Sequence, residues 1–409
     1  MFIDLSPLRI PNFRRLFLGQ LISAFGSQMT AVIIPFQVYF LTKSVLWTGL
    51  VSGVEFFFLF FSSLIGGVLA DKLDKRKVLI LAEAVLCIIP IGLAINASLE
   101  NPSMVAIFLL AGFSSFMNGI HRPALEAITP RLVAAEDLPK VSALSPIRHI
   151  LTTILSPLIG GVLIVSIGAT YTYLLDAASF LISLLFLISI RYKGVVHDIK
   201  HKATLKGYFE EILEGKRYLQ SRPDILGSYA TDFMSMVFCN PVALFPALAV
   251  AYDRLDALGL LYALPSTGAL IMTVFSRWTI PVRRCGVYII LAASTWAISM
   301  IWVGLATSFY WILAGLLCAG YFDMMSGVFR MTLWNETIPE KIRGRMAGFE
   351  MISYMSGPLL GNMILGFWAD IYGIQLTLAV GALFALCGIA AFNIWRPQLW
   401  NFSRTLPTD

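Results

Sequence analysis

Charge is what this sequence has least of. Asp, Glu, Lys and Arg make up 13% of its 409 residues, where a soluble globular protein carries about 25%. The polar surface needed to keep a chain of this length in water is missing. Cysteine is also scarce: Cys87, Cys239, Cys285, Cys318 and Cys387 are scattered, with no CxxC pair. That excludes a disulfide framework and a zinc knuckle, and the five read as small buried hydrophobes. The four histidines have no ligand spacing, so neither a metal nor any other cofactor is expected. No GxxxxGK[ST] loop is present, which excludes a built-in ATP motor. No nucleophile–base signature marks an enzyme. No small-residue cleavage site follows a short apolar core, so no removable signal peptide is expected.

What the sequence has in quantity is apolar length. Hydrophobic residues make up 58% of it, and its mean hydropathy is +0.78. A spanning helix needs about 20 mostly apolar residues. Twelve such stretches can be placed, near 13–41, 46–70, 78–97, 103–127, 140–167 and 170–190, then 224–252, 257–277, 286–306, 308–336, 346–370 and 373–395. The expectation is an all-α integral membrane protein with twelve transmembrane helices.

The connections alternate in charge. Of the 30 Lys and Arg residues, 25 fall on one side, and the opposite loops hold only Lys43 and Arg254. The positive-inside rule then places both termini in the cytoplasm. The net charge of +6 follows from this bias and gives no reason to invoke nucleic acid. The one long connection, 191–222, carries Leu205, Phe209, Ile212 and Leu213 at helical spacing among Lys and Glu. It reads as an interfacial amphipathic helix.

The sequence repeats itself. "AGFSSFMNGIHR" (Ala111 to Arg122) aligns with "AGYFDMMSGVFR" (Ala319 to Arg330), so that Arg122 corresponds to Arg330. "SPLIGG" (Ser156 to Gly161) aligns with "GPLLGN" (Gly357 to Asn362). A repeat of half the chain implies two pseudo-symmetric six-helix halves, 1–190 and 223–409, joined by the linker 191–222. Small residues and proline in these spans serve close packing and kinks. Their recurrence makes Pro157, Gly160, Gly161, Pro358 and Gly361 candidates for a hinge.

Charges inside the spans need partners or a function, because each costs about 2.5–3.5 kcal/mol at mid-bilayer even on the lenient scale. Asp323 and Arg330 share one face of the tenth span, two turns apart, about 10.5 Å along the axis. The others are Glu55, Arg122, Arg148, Asp176, Asp232 and Glu350, with Glu83 in the third span. Glu350 matches Arg330 in depth and suggests a structural pair. Gln20, Ser23, Ser27 and Thr30 form a polar stripe at 3–4 spacing on the first span. The seventh span carries Asp232 and is interrupted by Pro241 and Pro246.

"GGVLADKLDKRK" (Gly66 to Lys77), between the second and third spans, resembles the cytoplasmic signature of the major facilitator superfamily. Gly67, Leu69, Asp71, Lys72, Lys75 and Arg76 fit that pattern, while Asp74 stands where it has glycine. "GQLISAFGSQMT", "NPVALFPALA", "DMMSGVFR" and "RGRMAG" resemble the bacterial branch of enterobactin-type siderophore exporters, with macrolide efflux pumps nearby. The resemblance implies a proton-coupled exporter of a siderophore or similar amphipathic small molecule, working by alternating access in a bacterial inner membrane. A multidrug or macrolide efflux pump is the alternative. The expected partners are a small-molecule substrate, protons and the lipid bilayer, and a monomer is expected.

The same resemblance assigns roles. The first, fourth, seventh and tenth spans would line the transport cavity, into which Gln20, Ser23, Ser27 and Thr30 would look. Asp323, Asp232, Glu55, Arg330 and Arg122 become candidates for proton coupling or substrate binding, ahead of Glu83 and Asp176. Gly67, Asp71, Lys72 and Arg76, with Glu336, Arg343 and Arg345 of the second half, become a cytoplasmic gate.

Overall fold

A computed structural model describes residues 6–72, 74–190 and 205–404. Its regular structure among the described residues is helical. The helices are α1 (Pro11–Thr42), α2 (Val45–Lys72), α3 (Lys75–Ala97), α4 (Met104–Ile128), α5 (Leu138–Ser166), α6 (Gly168–Ser189) and α7 (Leu205–Ser221). They continue as α8 (Pro223–Cys239), α9 (Phe245–Ala251), α10 (Leu258–Val274), α11 (Cys285–Leu305), α12 (Phe309–Thr337), α13 (Glu340–Tyr372) and α14 (Ile374–Trp395). Among the described residues, 11 spans are long and apolar enough to cross a membrane. The stretch predicted near 346–370 lies in α13, where the side chains of 347–354 are outside the described residues.

The seventh predicted span is broken. α8 stops at Cys239, Pro241 precedes a 3-10 turn at Val242–Leu244, and α9 restarts at Phe245. Pro241 cannot continue the helix. Pro246, by contrast, sits in the first turn of α9, where a missing N–H costs nothing. It starts the second piece instead of interrupting it.

The helices are built inside out. On α6 the buried face holds Thr172, Asp176, Ser179 and Ser183, while Leu174, Leu181, Leu185 and Ile188 are exposed. α3 exposes Leu81, Ile88 and Ile95 two turns apart, and buries Glu83. Lipid solvates the leucines as well as a protein core would, so packing faces are marked by small and polar residues.

Compactness divides the chain into two units. One comprises Met1–Lys43, Gly53–Ala203 and Leu255–Ala263, the other Ser44–Ser52, Thr204–Arg254 and Leu264–Asp409. The first packs α1 on α5 and α6, and α3 on α4 and α6. The second packs α8 on α13 and α14, and α11 on α12 and α14. These are the same pairings at corresponding places in the repeat.

The repeat extends to backbone conformation. α6 begins at Gly168, with φ +81°, and α14 is preceded by Gly373, with φ +83°. Both glycines make the sharp reversal between consecutive helices that a side chain would strain. Thr172 and Thr377, four residues on, are both buried. Asp74 has a role in its own turn. As N-cap of α3 its carboxylate accepts from the Arg76 N–H at 2.9 Å and the Lys77 N–H at 3.4 Å.

Candidate functional site

In the second unit, α8 and α12 are locked one turn away from their charges. Trp334 Nε1 donates to Ser228 Oγ at 2.9 Å, and the Tyr229 and Trp334 rings stack with centroids 4.8 Å apart. One turn along each helix from that lock, Arg330 Nη1 forms an ion pair with Asp232 Oδ1. Both side chains are more than nine-tenths buried. An arginine so placed is tolerated because a carboxylate faces it. Sequence spacing puts Asp323 on the same face of the helix as Arg330, but the partner comes from α8. Asp323 is half-buried on the same helix as Arg330 and two turns from it. Glu350 lies outside the described side chains.

In the first unit, Arg122 lies 3.6 Å from Glu126 on its own helix and within electrostatic reach of Arg148 on α5. Glu55 is half-buried on α2, and its backbone carbonyl accepts from Ser115 Oγ at 2.9 Å. The polar stripe of α1 is engaged inside this unit. Gln20 Nε2 donates to Glu83 Oε1, and Thr30 Oγ1 donates to Asp176 Oδ2 at 2.5 Å. Ser23 is buried and Ser27 half-buried. Gln20 and Thr30 therefore sit in a helix interface and spend their polar groups there, where the sequence has them facing a cavity. The carboxylates that hold them are Glu83 and Asp176, which sequence reading sets behind the other charges. The signal for Asp176 is in the sequence all the same: Thr172, Asp176, Ser179 and Ser183 form a polar stripe at 3–4 spacing on the sixth span.

The residues read as a gate are distributed among separate contacts. Arg76 Nη2 donates to the Ile188 carbonyl at 2.6 Å, and Arg15 Nη1 to the Ser189 carbonyl at 2.8 Å, so two arginines cap the C-terminus of α6. Glu336 pairs with Arg404 at 2.5 Å. Arg404 also donates its backbone N–H to the Arg283 carbonyl at 2.9 Å, and Leu399 is fully buried, which ties the segment after α14 to the C-terminal helices. The surroundings of Gly67 and the side chains of Asp71, Lys72, Arg343 and Arg345 lie outside the described residues. Of the linker, 191–204 and the side chains of Leu205, Phe209 and Ile212 do as well. Leu213 is exposed, and Arg222 anchors the end of α7. It bonds Asp224 at 2.7 Å and the Thr337 carbonyl at 3.3 Å, and the Asp224 hydrogen bonds hold its guanidinium above its ordinary range.

The Pro–Gly segments sit at close helix crossings. A methyl group on Gly161 would lie 2.5 Å from Gly259 N, and one on Gly259 would lie 2.6 Å from the Pro157 carbonyl. Gly361 abuts the Met236 carbonyl at 2.6 Å in the same sense, and Gly160 packs on Met29. Pro358 lies inside α13. One turn on, Asn362 Oδ1 accepts from the Ala243 N–H at 3.1 Å and so closes the break between α8 and α9.

Apolar helices long enough to cross a membrane, with Glu83, Asp176, Asp232 and Arg330 buried in their packing, mark a multi-pass membrane protein. Solved structures agree on the fold. The nucleoside transporter NupG (D323A mutant) superposes with a TM-score of 0.76 at 12% identity, over 94% of this chain and 100% of that one. The peptide transporter POT bound to sulfate superposes at 0.73 and 12% identity, over 96% of each. The family described as transmembrane secretion effector matches residues 3–404, and the chain belongs to that family within the major facilitator superfamily. It is 31% identical to the enterobactin exporter EntS of Salmonella typhi over 376 residues, covering 89% of this chain and 87% of that protein. Identity to the enterobactin exporter EntS of Escherichia coli O81 is also 31%, over 370 residues, with the same coverage of 89% and 87%.

Proposed function

We propose that this chain is a proton-coupled exporter of a siderophore, or a similar amphipathic metabolite, across the bacterial inner membrane. It has twelve spans in two six-helix halves and works by alternating access with both termini in the cytoplasm. The observation that carries the reading is the 31% identity to enterobactin exporters over 89% of the chain. The buried Asp232–Arg330 pair gives it a mechanism. With Asp232 ionised, Arg330 is neutralised and held on α8. A proton on Asp232 cancels the attraction and frees the guanidinium. Arginine is suited to an anionic or catecholate cargo, through its planar charge and its stacking on rings. Loading cargo and loading protons are then linked through one ion pair, which is what antiport requires. Asp323, two turns along α12, is the second candidate for the proton. Glu55 and Arg122 remain candidates at the edge of this scheme. Asp71, Arg76, Glu336 and their neighbours form the cytoplasmic gate, and the close glycine crossings of α5 and α13 serve as the hinge surfaces.

The test uses iron-starved cells with and without the protein, comparing siderophore inside cells with siderophore in the medium by mass spectrometry. Intact protein is expected to lower the retained pool, and Asp323→Asn or Asp232→Asn to leave it high. Equal pools with and without intact protein, in cells lacking other exporters, would reject the cargo and turn the search to a panel of drugs and macrolides.

A further inference from the structure

A second set of buried charges lies wholly inside the first unit, apart from the Asp232–Arg330 pair. Four helices converge on Glu83, whose side chain is fully buried. Its Oε1 accepts from Gln20 Nε2 of α1 and, at 3.0 Å, from Ser183 Oγ of α6. His121 Nε2 of α4 stands 3.3 Å from the same oxygen. Its Oε2 is buried and receives no donor from the described residues. Three groups converge on one oxygen, while the other meets no donor among the described residues and has room to carry a proton.

Two turns along α6 lies a second buried carboxyl, Asp176, with a hydroxyl on each of its oxygens. It is 1% exposed, takes the Thr30 hydroxyl at 2.5 Å, and has Ser179 Oγ 3.3 Å from its Oδ1. One turn beyond, the buried Tyr173 hydroxyl donates to Gln37 Oε1 at 2.8 Å. The polar groups therefore line up along the α1–α6 interface. On α1 they run from Gln20 to Gln37, about 25 Å at 1.5 Å per residue, against a hydrocarbon core of about 30 Å. Glu83 lies in the first half of α3, on the side of the predicted cytoplasmic loops. Asp176 lies in the first half of α6, on the opposite side.

A purely structural polar seam would be satisfied by hydroxyls and amides. Two carboxyls and an imidazole are an expensive way to hold helices together in a membrane, since ionisable groups inside spans are costly to bury. We propose that Glu83 and Asp176 are proton carriers of this unit and that His121 shares the Glu83 proton. This rests on the proton-coupled reading above and adds a route to it. A proton from outer water binds the Asp176 carboxylate. It reaches Glu83 along the hydroxyls of the α1–α6 interface only in the step that moves cargo, and then leaves to cytoplasmic water. Only O–H and N–H bonds form and break, and both carboxylates return to their starting state. The described titratable groups facing the pair are His121 from α4, Tyr173 from α6 and Cys87 from α3, whose Sγ lies 3.4 Å from the Ala177 carbonyl. α1 presents neutral groups there, Gln20 and Thr30.

The test begins with the intact protein in lipid and no cargo. An infrared titration follows the carbonyl stretch of protonated carboxyls as pH is varied. A band that Glu83→Gln removes, and that His121→Gln shifts along the pH axis, is expected. The second arm reconstitutes the protein in vesicles with enterobactin as probe. Glu83→Gln is expected to lower accumulation driven by a proton gradient by roughly tenfold or more, the size of a typical coupling free energy, and to lower downhill exchange far less. A merely structural role would move both rates together. Folded Glu83→Gln protein that keeps every titrating band, or that still couples transport to protons as the parent does, would overturn the proposal. If enterobactin is not carried at all, the cargo reading fails, while the infrared titration still decides the proton site.

Discussion

An arginine in a bilayer interior has to be neutralised by something held within hydrogen-bond reach. For Arg330 that is Asp232, and the Ser228–Trp334 bond one turn away fixes the approach. The two charges form a unit whose halves cannot be removed separately. Asp232→Asn leaves a buried guanidinium without its counter-charge, and Arg330→Ala leaves a buried carboxylate. Each is expected to destabilise the protein by about 3–5 kcal/mol, whereas replacing a buried pair by packed hydrophobic residues is often neutral. The double variant Asp232→Leu/Arg330→Leu should therefore unfold near the parent's midpoint and still fail to export. Thermal unfolding in detergent alongside a transport assay checks both halves of that expectation. Recovery of export in the double variant would show that the pair only holds α8 to α12.

At the level of helices, hydropathy alone places the spans closely. α12 is expected at 308–336 and runs Phe309–Thr337, and α14 is expected at 373–395 and runs Ile374–Trp395. A span's length is imposed by the membrane, so it is legible without any knowledge of packing. Which way a span faces is much less legible, because leucine marks lipid as readily as core. That is why the α1 stripe reads as cavity lining, and why Glu83 and Asp176, which bond Gln20 and Thr30, rank below the other charges in the sequence. Asp232 and Arg330 can each be recognised as costly charges, yet their pairing depends on how α8 and α12 cross, which no local pattern encodes. The glycines that open α6 and precede α14 carry no signal of their own in the sequence; the backbone shows φ near +80° in both. Nothing lies within 4 Å of a methyl group built at Gly168 or Gly373, so the cost of filling those sites is conformational. Gly373, at φ +83° and ψ +158°, lies in a region essentially restricted to glycine, so Gly373→Ala and Gly373→Asn should both cost about 1–3 kcal/mol, and Gly168→Ala should also destabilise, because its φ is +81°. Comparable midpoints for Ala, Asn and Gly would show that the turns relax.

For the molecule as a whole, orientation decides which way protons and cargo move. The bias of Lys and Arg to one set of loops acts during insertion, before any packing exists, and is expected to put those loops in the cytoplasm. On that orientation Glu83 would face the cytoplasmic side and Asp176 the outer side, and protons running down their gradient would meet Asp176 first. The expectation can be checked without cargo. On a background whose five cysteines are replaced by alanine or serine, a single cysteine is introduced in intact cells with a permeable outer envelope. Lys43→Cys, in an outer loop, should react with a membrane-impermeant maleimide at once. Arg131→Cys, among the basic loops, should react only after the inner membrane is opened. The reverse pattern would place Glu83 on the outer side and Asp176 on the inner, so that entering protons would meet Glu83 first and the inferred route would run backwards. Labelling as expected places Asp176 nearer the side from which protons enter and Glu83 nearer the side to which they leave. Proton-coupled export then requires that cargo leave the cell in the same cycle that brings protons in.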